Sequence, residues 1–218
     1  MKKPFALPLF TLLLLLLITA LTQGAQAQQS IELVAERSRL WIQGTSTVHD
    51  INCEAGKIVG YADLRSADLD EARNISDNNA GSVRLSIPVW EFDCGRRQMN
   101  RDFFRALDAE SHPAIEFEYF SATLLTNLDP DCHPFQLEVE GRLSVSGNKR
   151  DVSLIVDIEP CEANHFKLMG SKTINMKDYG IEPPTALFGL VRAHEELTVN
   201  FSLTARQLNP EGSYADER

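Results

Sequence analysis

The sequence has no cluster of basic residues. Of its 218 residues, 21 are Lys or Arg and 31 are Asp or Glu, for a net charge of -10. Affinity for a phosphate backbone rests on grouped Lys and Arg, so nucleic acid is excluded as a partner. Metal-ligand spacing is missing too. The five histidines, His49, His112, His133, His165 and His194, form no i, i+2 or i, i+4 pair and no H-E-x-x-H. No G-x-S-x-G nucleophile elbow occurs. Ser46, His49 and Asp50 lie close together in "GTSTVHD", but neighbours on one strand end point alternately apart, whereas a triad must converge in space. Their expected role is bonding to backbone at a strand end. Asp68 and Asp70 fall in an acidic loop without the ligand order of a calcium-binding hand. No catalytic residue, metal or cofactor is expected.

Long hydrophobic runs are also scarce, with one exception at the start. "MKKPFALPLFTLLLLLLITALTQGAQA" places Lys2 and Lys3 before an apolar stretch from Phe5 to Leu21 and ends Ala25-Gln26-Ala27. That is the layout of a secretory signal over residues 1–27. It predicts an exported chain, periplasmic or secreted, with a domain over residues 28–206 and a frayed tail over 207–218. Asn74-Ile75-Ser76 is a glycosylation sequon, relevant only in a eukaryotic secretory route.

Cysteines number four: Cys53, Cys94, Cys132 and Cys161, with no C-x-x-C among them. An even count in an exported chain points to two disulfides and allows three pairings. Strand order chooses between them. A hairpin of "KIVGYADL" and "SVRLSIPVWEFD" around the acidic loop sets Cys53 opposite Cys94. The tighter hairpin around "SGNKRD" sets Cys132 near Cys161.

What the sequence does have is alternation. "FQLEVEGRLSVSG" puts Phe135, Leu137, Val139, Leu143 and Val145 on one face and Glu138, Glu140 and Arg142 on the other. "DVSLIVDIEP", "ELTVNFSLTAR", "SVRLSIPV" and "AIEFEYF" repeat the pattern, and "RLWIQGTSTV", "KIVGYADL" and "HFKLMGSKTINM" extend it. Period two with one wet face marks antiparallel strands. About eight of them, without βαβ alternation, imply an all-β barrel or sandwich. A single segment, "RRQMNRDFFRALDAESHP", spaces Met99, Phe103 and Leu107 every four residues and predicts one short amphipathic helix ending at Pro113. "MKDYGIEPPTALFG" is a loop by its glycines and prolines, yet it carries Tyr179, Ile181, Leu187 and Phe188. Apolar residues around a Pro-Pro turn suit the mouth of a cavity. Periodicity alone does not distinguish a hollow barrel from a filled one.

The segments "WIQGTSTVHDINCEAGKIVG", "MNRDFFRALDAESHPAIEFEY", "VEGRLSVSGNKRDVSL" and "MKDYGIEPPTALFGLVRAHEELTVNFSL" together resemble the YceI family over roughly residues 31–206. The resemblance implies an eight-stranded antiparallel lipocalin-like barrel with a helix after the third strand. It also implies a cavity for polyisoprenoid chains, isoprenoid quinones or similar amphiphiles, with no shared catalytic constellation. The expected lining is Phe103, Phe104, Leu107, Phe117, Tyr119, Tyr179, Leu187 and Phe188, with Arg101 and His112 for a headgroup. Loading a lipid-like cargo implies an encounter with a membrane surface, and the oligomeric state stays open, a dimer included. Two rival readings remain: a filled barrel serving as an interaction or stress-response module, and a redox partner acting on a bound quinone.

Overall fold

Alternation of apolar and polar side chains produces strands, and the strands close into a ring. The computed structural model describes residues 28–65, 82–125, 134–162, 164–186 and 190–208. In chain order these form β1 (Gln28–Leu33), β2 (Arg39–Ser46), β3 (Asp50–Ala55), β4 (Val59–Arg65), β5 (Ser82–Pro88) and β6 (Phe92–Asp93). Helix α1 (Arg97–Ala106) follows, then β7 (Ala114–Leu124), β8 (Phe135–Val145), β9 (Asn148–Glu162), β10 (His165–Asn175), β11 (Thr185–Ala186) and β12 (Val191–Leu208).

The hydrogen-bonded order β1-β4-β5-β7-β8-β9-β10-β12 returns to its start, because β12 also pairs with β1 from Ser30–Leu208 to Leu33–Ala205. That closed circuit has the eight members expected. β2 pairs with the edge of β12 that β1 also uses, and β3 pairs with β2 as β4 does with β1. β1 and β2 are therefore two halves of one barrel strand, interrupted by the 3-10 turn Ala35–Arg37, and β3 and β4 are two halves of the next. The sequence reading missed β3 as a separate segment, since "DINCEA" offers only a short stretch of alternation. Closure leaves few exposed ladder edges.

One β-bulge sets which residues face inward. The β7–β8 register steps from Tyr119–Gly141 to Ser121–Glu140. Phe120 is the extra residue. It points outward, 42% exposed, beneath the Arg142 guanidinium at 4.9 Å from the ring centre. Before the bulge Ile115, Phe117 and Tyr119 face inward; after it Ala122 and Leu124 do.

Helix α1 follows β5, the third strand of the circuit, after the short β6. Its N-cap Arg96 makes no side-chain cap bond. Instead Asp93 accepts from the Gly95 N–H at 2.9 Å and from the Asn100 side-chain amide at 3.1 Å, while Asn100 accepts from the Cys94 N–H at 2.8 Å. The helix ends at Ala106, earlier than Pro113 predicts. Asp108 takes φ 49°, and its carbonyl accepts from the N–H groups of Ser111 and His112, so a left-handed turn stops the helix first.

The expected Cys53–Cys94 disulfide is present, with Cα atoms 4.0 Å apart, joining β3 to the start of the helical segment. Both cysteines are buried. Cys132 lies outside the described residues, and its pairing with Cys161 with it. So do the acidic loop with Asp68, Asp70 and Asn74, and the segments 1–27 and 209–218.

Candidate functional site

The inward residues do not meet in the middle. They enclose a cavity of about 890 Å³. The faces read from the alternation are the faces that line it: Val83, Leu85 and Ile87 on β5, Leu137, Val139 and Leu143 on β8, Val152, Leu154 and Val156 on β9, and Leu197, Val199 and Leu203 on β12. Val89 departs from the pattern: it sits in a 3-10 turn and is buried in a separate cluster beneath the helix. The cavity runs the length of the barrel. Ser46, His49, Pro184 and Thr185 bound it at the helix end, and Phe166, Leu124 and Gln207 at the far end.

Helix α1 closes one side of this space. Met99, Phe103 and Ala106 face the cavity, and Arg97, Arg101 and Arg105 face water. Phe103 packs on the buried ring of Phe92, with centroids 5.2 Å apart. Asp102 also reaches the cavity wall, accepting from Gln98 at 2.9 Å and pairing with Arg105 at 3.3 Å. Ser46 does as its strand-end position predicts: its hydroxyl donates to the His49 carbonyl at 2.8 Å.

Of the residues expected to line the site, Phe103, Leu107, Phe117 and Tyr119 bound the cavity. Burial pushes the Tyr119 phenol up, opposed by a hydrogen bond from the Ala122 backbone. Phe104 turns aside to pack against Trp90, with centroids 4.8 Å apart and the rings tilted at 56°. Tyr179 is 2% exposed and packs with Val89, Met176 and Ile181 beneath the barrel end rather than on the cavity wall. Leu187 and Phe188 lie outside the described residues. Arg101 is exposed on the helix and donates to Gln98. His112 packs beside Gly147 in the β8–β9 turn. Neither Arg101 nor His112 bounds the cavity.

The loop is anchored as its glycine requires. The 3-10 turn Met176–Tyr179 ends on Gly180 at φ 68°, a left-handed position that glycine takes without strain. Asn148 donates to the Tyr179 carbonyl and Arg150 to the Asp178 carbonyl, both at 2.8 Å, tying the loop to the start of β9.

Lys172 was missed by the sequence reading. It is the only Lys or Arg among the described residues that bound the cavity. The signal was available: in "HFKLMGSKTINM" the inward phase runs Phe166, Leu168, Gly170, Lys172, Ile174, which sets a lysine in an apolar row. Its ammonium donates to the Ser153 carbonyl at 2.7 Å.

The geometry agrees with the comparisons. No curated protein matches the chain. Among solved structures, BcnA of Burkholderia cenocepacia superposes with a TM-score of 0.60 at 16% identity, covering 79% of this chain and 99% of that one. A polyisoprenoid binding domain from Saccharophagus degradans, described as implicated in plant cell wall breakdown, gives 0.59 at 11%, covering 82% and 98%. The Campylobacter jejuni YceI protein gives 0.54 at 12%, covering 72% and 85%. At these identities the likeness is one of fold. The model of the YceI-like domain matches residues 33–205, which take in every barrel strand from β2 to most of β12, and the chain belongs to the YceI family.

Proposed function

We propose that the chain is an exported binding protein that holds a polyisoprenoid, an isoprenoid quinone or a similar amphiphile inside its barrel. The observation that carries this reading is the hollow interior: about 890 Å³ bounded mainly by apolar side chains. Cavities of roughly 300–1,000 Å³ are the size that takes small molecules. Each methylene moved from water into such a space contributes about 0.8 kcal/mol, so a long hydrocarbon chain binds without many polar contacts. The family and the polyisoprenoid binding relative support the same class of cargo. Export is supported by the signal-like start and by the Cys53–Cys94 disulfide, since disulfides persist in oxidising compartments. Passage of cargo to and from a membrane surface belongs to the same reading.

The test is mass spectrometry of an organic extract of the protein, purified from its own exported compartment without detergent. A stoichiometric isoprenoid lipid is expected. A protein that is empty, and that also fails to take up quinones or prenyl phosphates in titration, overturns the reading in favour of an interaction module.

A further inference from the structure

The barrel wall has a gap, and Lys172 stands in it. β9 and β10 pair from His165–Glu162 only as far as Gly170–Val156. Beyond that rung they fork. β9 stays with β8 down to Asn148, and β10 stays with β12 down to Asn175. The fork is closed at its other end by the bond from Arg150 to the Asp178 carbonyl. Between these two ties, residues 151–155 of β9 face residues 171–175 of β10 without a ladder.

Two observations make this a window rather than a loose seam. Leu154, Lys172 and Phe201 point inward and bound the cavity, yet they also bound a groove on the outer surface with Trp41, Ile155 and Asn200. In a continuous β wall an inward side chain is not reached from outside. Gly170, at the last rung, carries no side chain, and the Phe201 ring takes that space instead: a Cβ there would lie 2.6 Å from the ring and 2.7 Å from the Ile155 carbonyl oxygen, so Phe201 is what edges the gap on this side. Across the middle of the gap the Lys172 ammonium meets the Ser153 carbonyl, one of the acceptors that the missing ladder leaves over.

We propose that this window holds the polar head of the amphiphile whose chain fills the cavity, with Lys172 donating to a head oxygen. This rests on the binding function proposed above. A lysine with three donors can keep one on Ser153 and offer another. The charges around it select the kind of head. Glu138 and Asp157 also bound the outer groove, accepting from Ser153 Oγ at 2.8 Å and from Gln136 at 2.7 Å. Among the described residues Lys172 is the only Lys or Arg bounding that groove. Arg39 lies over the Trp41 ring and is paired with Glu54. Two carboxylates against one ammonium disfavour a phosphate and suit an uncharged, carbonyl-bearing head such as a quinone.

The experiment titrates the full-length mature protein with three probes of similar chain length: a polyisoprenyl benzoquinone, a prenyl monophosphate and the isoprenoid hydrocarbon squalene. Wild type, Lys172→Met and Lys172→Arg are compared. The quinone is expected to bind wild type more tightly than the phosphate. Lys172→Met is expected to lose about tenfold in quinone affinity, as for a hydrogen bond to a charged donor, with squalene unchanged within about twofold. Lys172→Arg recovers most of the loss. A second readout needs no change at Lys172: in a Trp90→Phe background, Trp41 is the sole tryptophan, and a quinone in the window quenches it. Equal losses for all probes, an unchanged quinone affinity in Lys172→Met, tighter phosphate than quinone binding, or an unquenched Trp41 each overturn the window site while leaving the cavity standing. Failure of all three probes on wild type overturns the cavity reading and the window with it.

Discussion

The Phe117 ring occupies the space a side chain at Gly141 would need. A Cβ on Gly141 would fall 2.4 Å from Phe117 Cζ and 2.6 Å from the Glu118 carbonyl oxygen. The glycine sits opposite Tyr119 at the rung before the β-bulge and leaves room for the Phe117 ring. Substitution Gly141→Ala is expected to cost about 1–3 kcal/mol through overpacking, seen as a lower urea midpoint. Adding Phe117→Leu should recover only part of it, because the second close contact is backbone. Full recovery would show that the ring alone sets the constraint.

Cys53 and Cys94 lie 41 residues apart in sequence and tie the second barrel strand to the entry of α1. Replacing both with alanine is expected to cost about 2–4 kcal/mol, measured by equilibrium unfolding. Because Met99 and Phe103 sit just beyond this tie and face the cavity, the reduced protein should also lose ligand affinity. Unfolding that is insensitive to the change would mean that Asp93 and Asn100 hold the helix entry without the bond.

Acid should weaken the fold through four exposed carboxylates. Arg39 holds Glu54 below its ordinary value, the Asn100 amide and then the Gly95 N–H hold Asp93 down, Arg142 holds Asp151 down, and Lys177 holds Glu195 down. A carboxyl lowered in the fold contributes stability above its unfolded value and loses it as pH falls through the folded one. With ordinary values of 3.8 for Asp and 4.5 for Glu, the thermal midpoint is expected to be insensitive to these groups above about pH 5 and to fall below about pH 4. Asp93→Asn, which removes one of the four charges, should make the acid fall shallower. An acid limb of unchanged steepness would exclude Asp93 as a contributor.

Filling the barrel separates storage from folding. Val139 is on the inner face of β8, across from Ala122 and Leu154. Val139→Trp directs an indole into the cavity. The expected result is at least a tenfold loss of isoprenoid affinity, about 1.4 kcal/mol, with cooperative unfolding retained. Undiminished binding would place the chain of the ligand elsewhere.

Much of this architecture can be read along the chain. The inward rows of β5, β8, β9 and β12 follow from alternation alone, because a strand turns successive side chains to opposite faces. The Cys53–Cys94 pairing follows from strand order, and the helix from the four-residue spacing of Met99, Phe103 and Leu107. Sequence spacing went astray where a single backbone event changed the phase. The left-handed Asp108 stops the helix before Pro113. The alternation of Ile115, Phe117 and Tyr119 holds as read, and the bulge at Phe120 then moves the inner face to even positions. The site was less legible than the fold. Period puts Phe103, Leu107, Phe117 and Tyr119 on inward faces and the family resemblance puts a cavity there, where they lie, but Phe104 and Tyr179 are equally apolar and face other neighbours.

What the sequence by itself determined is the local rule: strand, helix or turn, and which face of each is apolar. Those are short-range consequences of side-chain order and backbone sterics. Three things were decided only by the tertiary structure. Closure of β12 onto β1 makes a ring of the sheet. The ring is wide enough that inward side chains leave about 890 Å³ between them. The fork of β9 from β10 turns Lys172 from an anomaly in an apolar row into a donor at an opening. Each depends on distances between residues far apart in the chain, and no period along one strand encodes them.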